Sequence, residues 1–250
     1  KVLGGSADEA GIYGAAQNLA FIPTILSISF SPLLLSSLSR LIADGNLLQA
    51  KVLARHALRL VVGLLPMGAI TVATAPAIVS LIYGDTFSPT APILSILIFS
   101  SSGLMLISIG TTIPTAADRP KSPFFVAAPL LPLAVCGHWW AVPQLHAMGA
   151  AWVTALVAQL GAVMMVVAIY RLWQIWPPVW TLLRSLLICT AIYTLAVFWS
   201  VTSLWLLPQL LLLALMVPFM FLLLGEFNRQ EIGLIRSVIT DFLPFSPSAK

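Results

Sequence analysis

Counting from Tyr13 in alternating steps of four and three reaches Gln17, Ala20, Thr24, Ser27 and Ser31. That spacing stacks five hydrogen-bonding side chains on one face of a helix. A weaker stripe, Ser101, Ser108, Thr112 and Thr115, repeats the pattern later in the chain. Hydroxyls, an amide and a phenol hold sugars, water or a neighbouring helix, but they do not exchange protons at neutral pH. No carboxylate occupies the middle of an apolar run, and His138 is the only titratable group of the usual relay types within one. With no acid or second histidine near it in sequence, His138 reads as a hydrogen-bonded residue at a helix end. No serine has the GxSxG setting of a nucleophile. The Ser100-Ser101-Ser102-Gly103 cluster suits close helix packing or a polar lining. Cys136 and Cys189 lack CxxC or Cys/His spacing and read as small buried hydrophobes rather than metal ligands. Neither a Walker loop nor a Gly-rich phosphate fingerprint is present. We therefore expect a non-enzymatic chain that uses no metal and no cofactor.

The elements that must carry these stripes follow from composition. Of 250 residues 60% are hydrophobic and only 8% charged, with a mean hydropathy of +1.02, against roughly a quarter charged in soluble domains. Long uncharged runs recur throughout, as in an integral membrane protein. Crossing a bilayer takes about 20 apolar residues, and seven stretches qualify, at 12–38, 60–83, 91–113, 123–142, 150–172, 182–200 and 206–224. The predicted fold is an all-α polytopic bundle, followed by an amphipathic tail over 225–250. Because the chain starts at Lys1 without a signal-peptide pattern, we expect a segment cut or processed from something longer.

Basic residues are retained on the cytoplasmic side of a membrane. The segments after spans one, three, five and seven contain Arg40, Lys51, Arg55 and Arg59, then Arg119 and Lys121, then Arg171 and Arg184, then Arg229, Arg236 and Lys250; the opposite segments hold only Lys1. The chain is thus expected to begin outside and end in the cytoplasm. The formal charge of +4 sits where headgroups would meet it, so nucleic acid is not an expected partner. Residues 40–59 carry Leu41, Leu47, Leu48, Val52 and Leu53 between their charges, with Asp44-Gly45-Asn46 as a turn. They read as a connector, or as a short helix on the lipid surface. The tryptophans Trp139, Trp140, Trp152, Trp173, Trp176, Trp180, Trp199 and Trp205 gather near predicted span ends, as interfacial anchors do.

Several stretches resemble a known family. Gly11-Ile12-Tyr13-Gly14-Ala15-Ala16-Gln17-Asn18-Leu19, the basic loop after it, Ile82-Tyr83-Gly84-Asp85-Thr86-Phe87, Ala91-Pro92-Ile93-Leu94 and Ala117-Asp118-Arg119-Pro120 are similar in order and spacing to the oligosaccharide flippases. These share a superfamily with lipid II flippases and multidrug exporters. The resemblance is strongest over residues 8–123 and reduces to topology afterwards. It implies a transporter of two lobes and twelve to fourteen helices, of which this chain is the C-terminal half. Its first helix would be span eight, whose inward direction agrees with the charge count. The implied activity is alternating-access transfer of a polyprenyl-pyrophosphate-linked oligosaccharide across the cytoplasmic membrane, for cell-surface polysaccharide such as lipopolysaccharide. Membrane lipids, a polysaccharide polymerase and glycosyltransferases are the implied partners. Tyr13, Gln17, Thr24, Ser27, Ser31, Ser101 and Ser108 would line the substrate cavity. Family members place arginines in that cavity, but residues 12–39 here are free of charge, which leaves Arg40 and Arg59 at the inner mouth as phosphate contacts. A multidrug exporter of the same superfamily is the alternative, and a polytopic polymerase or acyltransferase a more distant one.

Sidedness can be read on the full-length protein with Cys136 and Cys189 replaced by serine. A membrane-impermeant maleimide added to intact cells should label Thr86→Cys, and should reach Lys51→Cys only after permeabilisation. The reverse pattern would invert the topology.

Overall fold

The computed structural model describes residues 6–176, 178–199 and 205–226, and every regular element among them is helical. Helix α1 (Ala7–Ala20) begins at a capping box, in which Ser6 and Glu9 each accept from the other's backbone N–H. Helix α2 (Ile22–Ala43) follows almost without a gap, so the first predicted span is one helix broken at Phe21. Helix α2 ends where Gly45, at φ 73°, turns the chain; the Asn46 amide bonds the Leu41 carbonyl and the Gly45 amide that of Ile42. The same double closure ends α5 (Thr90–Ala116) at Asp118 and α9 (Leu206–Leu223) at Gly225. Between them lie α3 (Leu47–Gly63), α4 (Leu65–Tyr83), a 3-10 turn (Asp85–Phe87), α6 (Lys121–Ala127), α7 (Leu130–Trp173) and α8 (Val179–Phe198).

Helix α7 is a hairpin. His146 has φ 53° and ψ −136°, outside the helical region, and the two arms fold back on each other there. A methyl group on Gly149 would stand 2.4 Å from the Ala141 carbonyl oxygen, one on Gly161 would stand 2.7 Å from Leu130, and the His138 ring faces Thr154. These pairs step outward from the tip in antiparallel order. The fourth and fifth predicted spans are therefore its two arms, α6 extending the first. Among the described residues six helical runs are long and apolar enough to cross a membrane, and the hairpin is one of them, Lys121–Trp173. The chain is an all-α, multi-pass membrane bundle.

Helix α5 is its axis, packing against α1, α2, α3, α4, α6 and α7. At the end where the basic segments gather, Leu34, Leu38, Ala57, Ile113, Met165 and Trp173 form one core. At the other end Ala16, Ala20, Val79, Leu94 and Ala151 form a second. A third joins α4 to α8 and α9 through Ile70, Ile188, Ile192, Leu213 and Phe221. The outer surface is apolar, with Val135, Leu156, Leu211 and Leu215 all exposed, as a hydrocarbon solvent permits.

Three expectations change. Trp173 is buried in the same apolar core as Ile175 and Ile169 rather than anchoring at the interface. Cys136 is exposed and Cys189 only partly buried; in lipid a small apolar thiol has no reason to hide. Helix α3 does not lie free on the surface, since Ala50, Ala54, Ala57, Leu58 and Val61 are buried and it runs into α4 through Leu64. Its exposed face holds Leu48, Lys51, Val52 and Arg55. Of the predicted tail, residues 227–250 lie outside the described residues.

The axis depends on small residues where α5 meets α7. A Cβ on Gly103 would sit 2.8 Å from the Ala158 backbone, whereas one on Gly14 would meet nothing within 4 Å. Gly103→Ala should destabilise the full-length protein by about 1–3 kcal/mol, and Gly14→Ala should be neutral or slightly stabilising. Thermal unfolding in detergent separates the two.

Candidate functional site

The break between α1 and α2 begins with proline chemistry. Pro23 has no N–H to continue the ladder. The chain tightens, and the Thr24 amide bonds the Phe21 carbonyl instead of reaching back to Ala20. The released Ala20 carbonyl is taken by the Ser101 hydroxyl of α5. Thr24 and Ser27 also turn inward, are buried, and donate to the carbonyls of Phe21 and Thr24. One turn further on, Ser31 meets Ser108 at 3.2 Å. The two stripes read from the sequence thus meet at Ser31 and Ser108, between α2 and α5, whereas Thr112 bonds within α5 and Thr115 is exposed.

Near the opposite end of the break, Tyr13 is held at 3.1 Å from Thr154 Oγ1, which donates to the Ala150 carbonyl. With that hydrogen used, the Tyr13 O–H is the donor between the two. His138 Nδ1 lies 2.7 Å from the Ala134 carbonyl and so carries the proton, leaving Nε2 facing Thr154 at 3.4 Å. His138 thus bonds within its own arm and faces Thr154 across the hairpin. At the tip, His146 Nδ1 stands 3.2 Å from Glu9 Oε1. Helix α1 is fastened to α7 at both points.

The structure distributes the seven cavity candidates unevenly. Thr24, Ser27 and Ser101 are buried between helices, Tyr13, Ser31 and Ser108 are half-buried and bonded, and Gln17 is exposed. Other exposed polar side chains of the same helix pair are Asn18, Ser29, Ser36, Ser37, Ser39 and Arg40. They lie off the Tyr13–Ser31 face, and a stripe counted on a single helix could not reveal which side a neighbour covers.

The two inner-mouth cations differ. Arg40 is exposed at the end of α2. Arg59 is engaged: its Nε bonds Glu226 Oε1 at 2.6 Å, and another guanidinium nitrogen reaches the Glu226 carbonyl. Arg184 and Thr181 of α8 bond the same carboxylate. Glu226 is only 7% exposed, beside Arg59 at 23% and Arg184 at 32%. Burial raises its pKa, but the bonds from Thr181, Arg184 and Arg59 and the positive charge of Arg59 outweigh that and hold it below the ordinary carboxylate value. Sequence reasoning assigned Glu226 to the tail and missed this clamp. The available signal was one acid directly after the last apolar run, on the same predicted side as Arg59 and Arg184.

Part of this geometry lies in a stretch that resembles a known family. Residues 4–92 are similar to the polysaccharide biosynthesis protein family. The matched stretch covers α1 to α4, the 3-10 turn and the first residues of α5, and so contains the broken helix with its stripe. No curated protein matched the chain. Together with the membrane-length helices, the similarity supports a membrane protein of polysaccharide biosynthesis.

Replacing Glu226 by glutamine should destabilise the full-length protein by about 2–3 kcal/mol near pH 7, the scale of lost hydrogen bonds to charged groups. Because the folded-state pKa lies below the model-compound value of 4.5, the contribution is complete above that pH and disappears as pH falls through the lower folded value. Thermal unfolding from pH 7 to 3 should show a steeper acid decline for the native sequence than for Glu226→Gln.

Proposed function

We propose that the chain is the C-terminal part of a transporter that moves a polyprenyl-pyrophosphate-linked oligosaccharide across the cytoplasmic membrane by alternating access, supplying a cell-surface polysaccharide. The observation that carries this reading is the broken helix, which lies wholly within the matched segment. A break at mid-helix gives two rigid halves that can tilt independently. Here α1 is fastened to the hairpin by Tyr13 and Glu9 and to α5 by the Ser101 bond at the break, and α2 is fastened to α5 by Ser31.

In this mechanism α5 serves as the fixed wall and α2 as the moving one. Gln17, Asn18, Ser29 and Ser36 face the saccharide, and tilting of α2 brings Thr24 and Ser27 into reach. Arg40 meets the pyrophosphate at the inner mouth, while Arg59 stabilises the bundle through Glu226. The remaining lobe of the transporter supplies the other cations. The protein performs no covalent chemistry and needs no cofactor, and its partners are lipids and the glycosyltransferases and polymerase on either side of the transfer step.

The test uses the full-length protein in sealed liposomes loaded with a lipid-linked saccharide, with an added glycosidase reporting arrival in the outer leaflet. Protein-dependent arrival is expected, slowed roughly tenfold by Ser101→Ala, which leaves the Ala20 carbonyl without its partner. The reading fails if the protein does not accelerate arrival, and export of a cationic dye instead would point to a multidrug exporter.

A further inference from the structure

At the basic end of the bundle a groove of about 980 Å³ opens between α6 and the second arm of α7. Its rim carries Arg119, Lys121 and Arg171, and its floor Phe125, Val163 and Val167. All three cations are exposed. In contrast to Arg59 and Arg184, none of them bonds a carboxylate among the described residues. The one acid in the lining is Asp118, so the rim keeps a net positive charge.

The floor faces outward. Phe125 is 70% and Val163 60% exposed, on the outer surface of the hairpin where the other side chains are also apolar. The groove thus presents fixed positive charge at the depth of the headgroups and continues into the hydrocarbon along an apolar channel. That polarity complements one kind of molecule, an anion on an acyl chain. Two of the cations come from the α5–α6 turn and one from the far end of α7, so an occupant would tie the two arms of the hairpin together where they are furthest from its tip.

We propose that this groove binds an anionic glycerophospholipid of the adjoining leaflet, with its phosphate between Arg119, Lys121 and Arg171 and an acyl chain along Phe125, Val163 and Val167. The site is separate from the α2–α5 contact and does not rest on the transport reading. Lipid bound here braces the hairpin, and through it α5, against the membrane.

Purified full-length protein should be offered equal amounts of phosphatidylglycerol and phosphatidylcholine with identical acyl chains, and bound lipid counted by native mass spectrometry. Phosphatidylglycerol should be retained preferentially. Arg119→Gln with Arg171→Gln should reduce that preference roughly tenfold, and Arg119→Lys with Arg171→Lys should preserve it. A phosphatidylglycerol with a photoreactive acyl chain should cross-link native protein at peptides containing Val163 or Val167, an outcome independent of whether the variants fold. Equal retention of the two lipids, cross-links confined to other helices, or equally effective displacement by inorganic phosphate at the same concentration would overturn the proposal.

Discussion

A peptide carbonyl without a partner in hydrocarbon costs several kcal/mol, and the Ala20 carbonyl is left in that state because the Thr24 amide bonds Phe21 instead. The Ser101 hydroxyl meets that need from α5. The pairing ties the end of α1 to the axis at the break, which sets the depth at which α2 begins. Once Ser101 is set, Thr24 and Ser27 are turned inward and Ser31 comes opposite Ser108. Water could satisfy the same carbonyl if the helices parted, so the arrangement is stable without being permanent.

Charge is handled at one end of the molecule in two ways. Glu226 pairs with both Arg59 and Arg184 in a group that holds α3, α8 and the end of α9 together. Removing one partner from such a group leaves the others without compensation, so its effect on stability exceeds that of an exposed pair. Around the hairpin, Arg119, Lys121 and Arg171 stay open beside apolar side chains. The first arrangement serves packing and the second suits a ligand. Counting the cations for sidedness alone does not separate them.

Motion and rigidity are likewise divided. Close contact at Gly103, where an added Cβ would strike the Ala158 backbone, joins α5 to α7, and small residues at such a contact let helices pack tightly. The α2–α5 face shares the apolar core of Leu34, Leu38, Ile109 and Ile113, and its hydroxyl contact is that of Ser31 with Ser108. The net energy of such a bond is about 1 kcal/mol, so apolar packing holds this face more than the hydroxyls do.

Composition and period were enough to determine an all-α membrane bundle and the approximate place of its crossings, because exclusion from water acts on every apolar run independently of its neighbours. They also gave the polar stripe, since residues three and four apart share a helix face whatever surrounds it. Tertiary structure decided what the stripe touches, how α3 is covered, that Trp173 is buried and that the arms of α7 meet. It alone brought Glu226 to Arg59 and Arg184, across separations of 167 and 42 residues. Those outcomes depend on which helices become neighbours, a property of the packed bundle that no single helix carries in its own sequence.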